Sequence, residues 1–323
     1  WYYNIEYKEE RRRAYDHKED LFVPGFFEMP IKKGQTIYFS ASLKEESPAG
    51  FTAKFQKNLN AKRERDSFIN CLKISADQFI THRDEESSIY AGYPWLDNSL
   101  RESLISLPGL TLCANRNIKS FNEVLSTILK RDYHNLAVTG KMVDVPLWLF
   151  WTLQQYGSHT GLHEKTWIEH NALLKEILLS YKKGSRGNVA MHDNGLLWAE
   201  EEGVALTWMD SYVGGKPVTE RAGYQIEVNA LWYNAIAYSI EMAGSSGDTA
   251  FVEEWSPILE SIKKNFSKAF RIEGFNHFAD YVGPEGQNKF VRPNQIFTCS
   301  FHYSPLSEEE RAQILKSVKK ELL

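Results

Sequence analysis

The sequence predicts a mainly α-helical protein, an α/α toroid preceded by the last strands of a β-domain. From about residue 57 the apolar residues recur at helical spacing, whereas the first 45 or so residues contain β-forming runs around a glycine turn. The connections between the predicted helices alternate between short and long. Because long ordered loops in compact domains are usually functional, we expect the functional site at the mouth of the toroid, where these loops gather.

Residues 1–46 are assigned to the end of the β-domain and residues 47–323 to the toroid. Residues 26–31 and 36–42 are rich in β-forming side chains and flank a Lys-Lys-Gly-Gln turn, which predicts strand, turn and strand. Two strands are not stable in isolation, so we expect the remainder of this domain upstream of the given sequence.

Apolar stripes and capping signals locate the helices of the toroid. Ser307 is followed by three glutamates, a pattern typical of a helix N-cap with an acidic first turn. Gly184 and Gly244 stand where helices are expected to end. The predicted helices lie at residues 99–114, 143–156, 164–182, 227–243, 249–271 and 308–322, with further apolar stripes at 68–80 and 121–129.

Composition excludes several classes of function. The chain of 323 residues has 38 basic and 42 acidic side chains, a net charge of -4, so a nucleic-acid partner is not expected. No apolar run approaches the roughly 18 residues of a membrane span, and residues 1–20 are charged and aromatic, so neither a membrane span nor a secretory leader is expected. The three cysteines, Cys71, Cys113 and Cys299, are typical of a reducing compartment, which predicts a cytoplasmic protein.

The sequence contains no recognisable metal or cofactor site. Its nine histidines form neither HExxH nor HxH spacing, and no GxSxG nucleophile motif occurs. Aromatic residues make up 13% of the chain. Their flat faces suit a carbohydrate cleft, although a large helical core explains the excess nearly as well. Paired carboxylates are therefore the best-supported catalytic device, with no cofactor.

The first candidate segment, residues 91–109, is a turn that opens into a helix. It contains Tyr93 and Trp95, followed by Arg101 and Glu102 near the predicted helix start. A planar guanidinium beside a carboxylate can grip vicinal hydroxyls of a sugar. The alternative, that the two charges form an ion pair at a helix start, stays open on pattern alone.

The second candidate segment lies in the long connection between residues 184 and 226. Trp198, Trp208 and Asp210 share this loop. A carboxyl packed among indole rings loses its hydration and holds a proton at neutral pH, as a general acid for a glycosidic oxygen must. The alternative is that Asp210 only caps a turn.

The third candidate segment, residues 223–234, places polar groups on a helix that is otherwise apolar. Glu227 and Asn229 fall in its first turn, and Glu227 and Asn234 share one face at i and i+7. We expect Glu227 and Asn229 to contact a ligand. A solvated polar face is the alternative, and the apolar neighbours argue against it.

These segments belong to an ordered set of motifs that covers nearly the whole chain. The set comprises GYPW at 92–95, ISLPGL at 105–110, VDxxLW at 143–148, GLLW at 195–198, TWMD at 207–210, EVNALWYN at 227–234, RPNQ at 292–295 and YSPL at 303–306. In this order they resemble the amylo-α-1,6-glucosidase domain of glycogen debranching enzymes. Residues 4–24 look like the end of the N-terminal β-domain that precedes this catalytic domain.

The resemblance implies an (α/α)6 toroid that hydrolyses α-1,6-linked glucose of glycogen or a related α-glucan with inversion. It places Asp210 at the position of the general acid, and Arg101 with Glu102 at an Arg-Asp pair that holds the cleaved glucose. Residues 96–102 depart from the family, which usually has Trp-Gly-Arg-Asp where this chain has Ser99-Leu100-Arg101-Glu102. A carboxylate moved by about 1 Å can change the rate about 100-fold.

The resemblance also implies that the catalytic base lies downstream of YSPL, and that a closed ring needs twelve helices where about nine are predicted. We therefore expect this chain to be a C-terminally truncated domain without its base. Two alternatives remain: a glucan-binding protein that has lost turnover, and a glucoamylase-like or trehalase-like toroid glycosidase. The sequence leaves linkage preference, oligomeric state and an attached transferase domain open.

Overall fold

A computed structural model of the chain describes residues 1–62, 64–84, 86–93, 96–139, 142–184 and 187–323. It separates into two compact units, Trp1–Glu64 and Arg65–Leu323. Trp95, one of the predicted site residues, lies outside the described residues.

The first unit has little regular structure. Strands β1 (Tyr2–Glu6) and β2 (Lys18–Leu21) pair antiparallel, and its helices are α1 (Lys8–Arg12) and α2 (Phe51–Ala61). The predicted strands at residues 26–31 and 36–42 are wrong, because that stretch contains a turn but no strand. Its phenylalanine side chains are exposed, Phe26 to 87%, whereas Tyr38 is half-buried and packs against Phe55 of α2. β-Propensity reflects packing on a half-buried surface, and the exposed phenylalanines do not lie on one.

The second unit is mainly α-helical, as the sequence predicts. Its described residues form nine α-helices, which are α3 (Phe68–Phe79), α4 (Leu100–Leu107), α5 (Ile118–His134), α6 (Val145–Thr160), α7 (His163–Lys182), α8 (Ile226–Ser245), α9 (Thr249–Phe270), α10 (Phe297–Ser300) and α11 (Glu308–Leu322). The predicted helix at residues 99–114 is α4 continued by a π-helical turn, Pro108–Cys113. The closed double ring of an (α/α)6 toroid stays a prediction.

Helix α8 forms the centre of the second unit. It packs against α6, α7 and α9, and nearly all its side chains are buried, including the fully buried Trp232. A helix that is apolar on every side is buried in this way. Among the described residues, no helix is both long enough and apolar enough to cross a bilayer.

The capping signals are largely confirmed. The Ser307 hydroxyl accepts the backbone N–H of Glu310, whose side chain accepts that of Ser307, so α11 begins with a full capping box. Gly184 follows α7 with φ +66°. Helix α8, however, continues through Gly244 to Ser245, and the left-handed glycine after it is Gly247, with φ +81°.

Short antiparallel strands occupy the connections between the helices. The strands of the second unit are β3 (Ile80–Arg83), β4 (Glu86–Gly92), β5 (Leu96–Asn98), β6 (Val189–Met191), β7 (Leu197–Ala199), β8 (Tyr212–Val213), β9 (Lys216–Pro217), β10 (Tyr224–Gln225), β11 (Tyr281–Gly283) and β12 (Gly286–Gln287). They form the sheets β3-β4-β5, β6-β7, β8-β9 and β10-β11-β12. The long connection between α7 and α8 is thus tied down by strand pairs on both sides of the TWMD residues.

Candidate active site

Arg101 forms the centre of the candidate site. Its side chain is 8% exposed, and its Nε and Nη2 donate to the two carboxylate oxygens of Asp144 at 2.8 and 2.9 Å. Its Nη1 donates to Oδ2 of Asp210 at 3.3 Å. Burial is the largest single effect on the pKa of Arg101 and lowers it, but the charge and hydrogen bonds of Asp144 together with the charges of Glu102 and Asp210 raise that pKa above its usual value. Arg101 is therefore a permanent cation whose orientation is fixed by a two-point contact.

Asp144 is held in place from its own helix. It is the residue before α6, and its side chain is 3% exposed. One turn further along, the indole Nε1 of Trp148 donates to Oδ2 of Asp144 at 3.3 Å. The buried carboxylate therefore has Arg101 and Trp148 as partners and is not free to act on a substrate.

Two adjacent cavities share Arg101 and Glu102 in their walls. The first, of about 520 Å³, is here called the polar cavity, and its wall includes Ser99, Asp132, Asn135, Met142, Pro146 and Asp210. The second, of about 540 Å³, is called the aromatic cavity, and its wall includes Ile105, Asp144, Trp148, Trp208, Glu227, Asn294 and Phe297. One face of the site thus offers polar partners and the other offers flat apolar rings, the combination that a sugar requires.

Asp210 is the carboxylate of this site with the fewest constraints. Its side chain is 42% exposed. The expectation that indole rings remove its hydration is wrong, because Trp208 is itself 43% exposed and its Nε1 donates to Oδ1 of Asn294 at 2.9 Å. Asp210 instead lies half in the polar cavity, with Arg101 as its charged neighbour.

Glu102 follows Arg101 in the first turn of α4 and differs from it in burial. It is exposed, lines both cavities, and accepts a short hydrogen bond from the hydroxyl of Ser99. Arg101 and Glu102 are therefore not paired with each other, and the helix-start ion pair that the sequence left open does not form.

A second group of charges, here called the buried ion cluster, lies behind the aromatic cavity. It consists of Arg221, Glu227, Asp280 and Arg292. Both terminal nitrogens of Arg221 donate to Glu227, one of them at 2.7 Å, and its Nε donates to Oδ2 of Asp280 at 2.9 Å. Arg292 donates to the same oxygen of Asp280 at 2.6 Å. Two cations and two anions make the cluster formally neutral.

Glu227 therefore differs from the predicted ligand-binding carboxylate. Its side chain is 2% exposed, and both of its oxygens are bonded to Arg221. Burial raises the pKa of Glu227, and the charge of Arg221 opposes that rise only in part. Glu227 reaches the wall of the aromatic cavity, whereas Asp210 reaches the wall of the polar cavity.

Three predicted site residues are not among the described residues that line either cavity. The hydroxyl of Tyr93 donates to the backbone of Gln78, and its ring stacks on Tyr90. The ring of Trp198 lies in an aromatic group with His192 and Tyr224.

Asn229 is fully buried, and its amide is used entirely by the backbone. It accepts the N–H of Leu197, donates to the oxygen of Leu197, and donates to the oxygen of Gln225. Asn229 therefore fixes strand β7 to helix α8, and the expectation that it binds a ligand is corrected.

Sequence reasoning missed several residues of the cavities and of the buried ion cluster. Asp144 and Trp148 stand one helical turn apart in the VDxxLW motif, and Asn294 belongs to the RPNQ motif. These motifs could therefore have predicted the three residues as part of the site. Arg221 follows Glu220, and Asp280 stands between uncharged residues, so no local motif marks either of them and only the fold brings them together. No group of three or more His, Cys, Asp or Glu in the described ranges could hold a metal ion.

Comparison with known proteins gives two matches to family models. The amylo-alpha-1,6-glucosidase family model matches residues 74–323, and that of the N-terminal region of glycogen debranching enzyme matches residues 1–38. No curated protein sequence matches the chain. Solved structures similar to it include a rhamnosidase of family GH78 from Bacillus sp. GL1, with 16% identity and a TM-score of 0.42.

A rhamnosidase from Klebsiella oxytoca, solved with rhamnose bound, gives 11% identity and a TM-score of 0.40. Each similarity covers 56% of this chain, and it spans 17% of the Bacillus protein and 31% of the Klebsiella protein.

Proposed function

Since the chain belongs to the amylo-alpha-1,6-glucosidase family, we propose that it removes α-1,6-linked glucose from glycogen or a related α-glucan, with inversion. The observation that carries the proposal is the pairing of a fixed cation, Arg101, with a half-exposed carboxylate, Asp210, at the edge of two sugar-sized cavities. The proposal includes a cytoplasmic location and a helical domain that is part of an (α/α)6 toroid.

Asp210 is assigned the role of general acid. It donates a proton to the oxygen that links the glucose to C6 of the next sugar, and the C1–O bond breaks. A water molecule attacks C1 from the opposite face of the ring and loses a proton, which gives β-glucose. Arg101 and Glu102 form hydrogen bonds to the hydroxyls of the glucose whose C1 is attacked, while Trp148 and Trp208 lie against the apolar faces of the sugars.

No described carboxylate of this site suits the role of the base as well as Asp210 suits that of the acid. Asp144 is bonded by Arg101, and Glu227 and Asp280 are bonded by Arg221. Asp132, in the wall of the polar cavity, is only 15% exposed and accepts hydrogen bonds from Arg131 and Asn135. Glu102 is assigned to sugar hydroxyls. An inverting enzyme needs a second carboxylate roughly 6.5–9.5 Å from the acid to activate water. We therefore propose that the chain of 323 residues binds α-glucan but turns it over only when another nucleophile replaces the activated water.

Azide rescue tests the assignment of Asp210 in the chain as it stands. Azide needs no base, and its attack on C1 of an isomaltosyl substrate yields β-glucosyl azide. We expect this product only when azide is present, and we expect Asp210→Asn to reduce its rate by about 10²–10⁴-fold. With α-glucosyl fluoride the same variant should keep most of its azide-dependent rate, because fluoride leaves without a proton.

The matched control is Asp193→Asn, an exposed aspartate in the same long connection between α7 and α8. Asp193→Asn should leave the azide-dependent rates on both substrates unchanged. Equal loss on both substrates in Asp210→Asn would contradict the role of general acid, and α-configured product would contradict inversion. Glucose release without azide, abolished by Asp210→Asn, would show that a base is present after all.

A glucan-binding protein without turnover is the second candidate. The observation in its favour is that the carboxylate of Glu102 is already bonded by the hydroxyl of Ser99, within the segment that departs from the family. On this proposal the chain binds isomaltosyl and maltosyl oligosaccharides in titration calorimetry, and no azide product forms from either substrate.

A further inference from the structure

We infer that Asn294 is a positioning residue that holds Asp210 in place through the TWMD segment. The inference rests on the proposed function, since it concerns the residue assigned as general acid. Asp210 itself is poorly constrained, because its side chain is 42% exposed and the contact from Arg101 is 3.3 Å long. Its position must therefore be set by the backbone that leads into it.

The three residues before Asp210 are each anchored to buried groups. The hydroxyl of Thr207 accepts from Nη1 of Arg221 at 3.1 Å. The indole of Trp208 donates to Asn294, and the sulfur of Met209 accepts from the Nδ2 of Asn294 at 3.5 Å. Asn294 thus holds two consecutive residues, including the one next to Asp210.

The segment is also tied at its start. The backbone oxygen of Leu206 accepts the N–H of Val143 at 2.9 Å, one residue before Asp144. The same segment therefore runs from the partner of Arg101 on one side to the buried ion cluster on the other. Asn294 is the link between that cluster and the two residues nearest Asp210.

The chemistry of this position requires an amide. Oδ1 of Asn294 accepts from Trp208, while Nδ2 donates to Oδ1 of Asp280 at 2.6 Å. Only asparagine or glutamine combines an acceptor and two donors at the end of a side chain, and Asn294 is fully buried, so water cannot replace a lost partner. An aspartate here would place a second carboxylate against Asp280.

Asp280, which accepts from Asn294, is itself held by several donors. It accepts from Arg221, Arg292 and Asn294, and its side chain is fully buried. A buried ion cluster is weak evidence for stability, because desolvation offsets much of its Coulomb energy. We therefore assign the buried ion cluster the role of a rigid support, from which Asn294 and Thr207 orient the loop that leads to Asp210.

Asn294→Ala tests the inference through a ratio of rates that a purely structural role would leave unchanged. The ratio compares azide-dependent turnover of the isomaltosyl substrate, which needs the acid, with that of α-glucosyl fluoride, which does not. A shift of Asp210 by about 1 Å would lower the ratio on the order of 100-fold, whereas partial unfolding would lower both rates together. Asn276→Ala, at an exposed asparagine, is the matched control.

A second variant protects the test if Asn294→Ala does not fold. Trp208→Phe removes the same hydrogen bond from its other end and leaves the contact between Asn294 and Asp280 intact. It should also lower the ratio, by at least about tenfold. The nine tryptophans each give an indole N–H signal in an NMR spectrum, and the signal that is absent from the spectrum of Trp208→Phe belongs to Trp208. Because Asn294→Ala removes the hydrogen bond of this N–H, the Trp208 signal should shift in that variant.

The outcomes separate this inference from the proposed function. If Asp210→Asn lowers the ratio and the folded Asn294→Ala and Trp208→Phe variants do not, the positioning role is overturned and the acid assignment stands. An unshifted Trp208 indole signal in Asn294→Ala overturns it as well. If Asp210→Asn itself leaves the ratio unchanged, the proposed function falls, and the role of Asn294 toward an acid falls with it.

Discussion

Removing the charge of Arg101 should destabilise the protein far more than a surface substitution does. In Arg101→Met the carboxylate of Asp144, which is 3% exposed, loses both of its guanidinium hydrogen bonds and keeps only the indole of Trp148. Breaking a buried ion pair from one side costs about 3–5 kcal/mol, because it leaves an uncompensated buried charge. The contact with Asp210 adds little to this loss, since water can solvate that half-exposed side chain.

Denaturant unfolding followed by tryptophan fluorescence measures this loss. The double variant Arg101→Met with Asp144→Asn removes the charge as well and leaves an oxygen to accept from Trp148. The double variant should lose only about 1–3 kcal/mol of unfolding free energy, which is the penalty of an unsatisfied buried amide. Arg131→Met is the control, because Arg131 is 44% exposed beside Asp132 and should change the free energy of unfolding by less than about 1 kcal/mol. A double variant no more stable than Arg101→Met would refute the reasoning that buried charge sets the magnitude.

Two further predictions concern the framework around the site. The hydrogen bond from Lys175 lowers the pKa of Asp248, so the stability that this carboxylate contributes is present above its unfolded pKa of about 3.9 and is lost as pH falls through the lower folded value. Asp248→Asn keeps the N-cap of α9, so we expect its unfolding temperature to fall less steeply below about pH 4 than that of the unchanged protein, with no other change in the pH profile. An equally steep fall below about pH 4 in both proteins would contradict this. Gly223 has φ +123°, and Gly223→Ala would place a Cβ 2.1 Å from the backbone oxygen of Val282. We expect this variant to lower the free energy of unfolding, measured with denaturant, by at least about 2 kcal/mol. Gly109→Ala is the control, because Gly109 has open space around it and the substitution should not destabilise the protein.

The helices were predictable from sequence because their signals are local. The capping box of Ser307 and Glu310 spans four residues, and the apolar stripe of α5 repeats within one helix. The strands expected at residues 26–42 were not predictable on the same basis. A β-forming run becomes a strand only when a partner and a buried face exist, and neither is encoded in the run itself.

The site was predictable only in part, for a related reason. Local motifs predicted Arg101 and Asp210 as site residues, and the structure places the two side chains in contact although 109 positions separate them in the chain. They could not show that Asp144, rather than Glu102, would pair with the guanidinium. Glu227 likewise stood out as a polar residue on an apolar helix, but its partners lie outside that helix, in Arg221 six residues earlier and, through Arg221, in Asp280.

The balance of charge separates the residue assigned to chemistry from those assigned to structure. The buried ion cluster has two arginines and two carboxylates, and water is largely excluded from it. Around Arg101 there are two carboxylates for one guanidinium, and the better geometry goes to the buried one, Asp144. Asp210 has the longer of the two contacts with Arg101, and its side chain is half-exposed to water. A carboxylate that must give and regain a proton in each cycle needs such access to solvent, and Glu227, with both oxygens bonded to Arg221, does not have it.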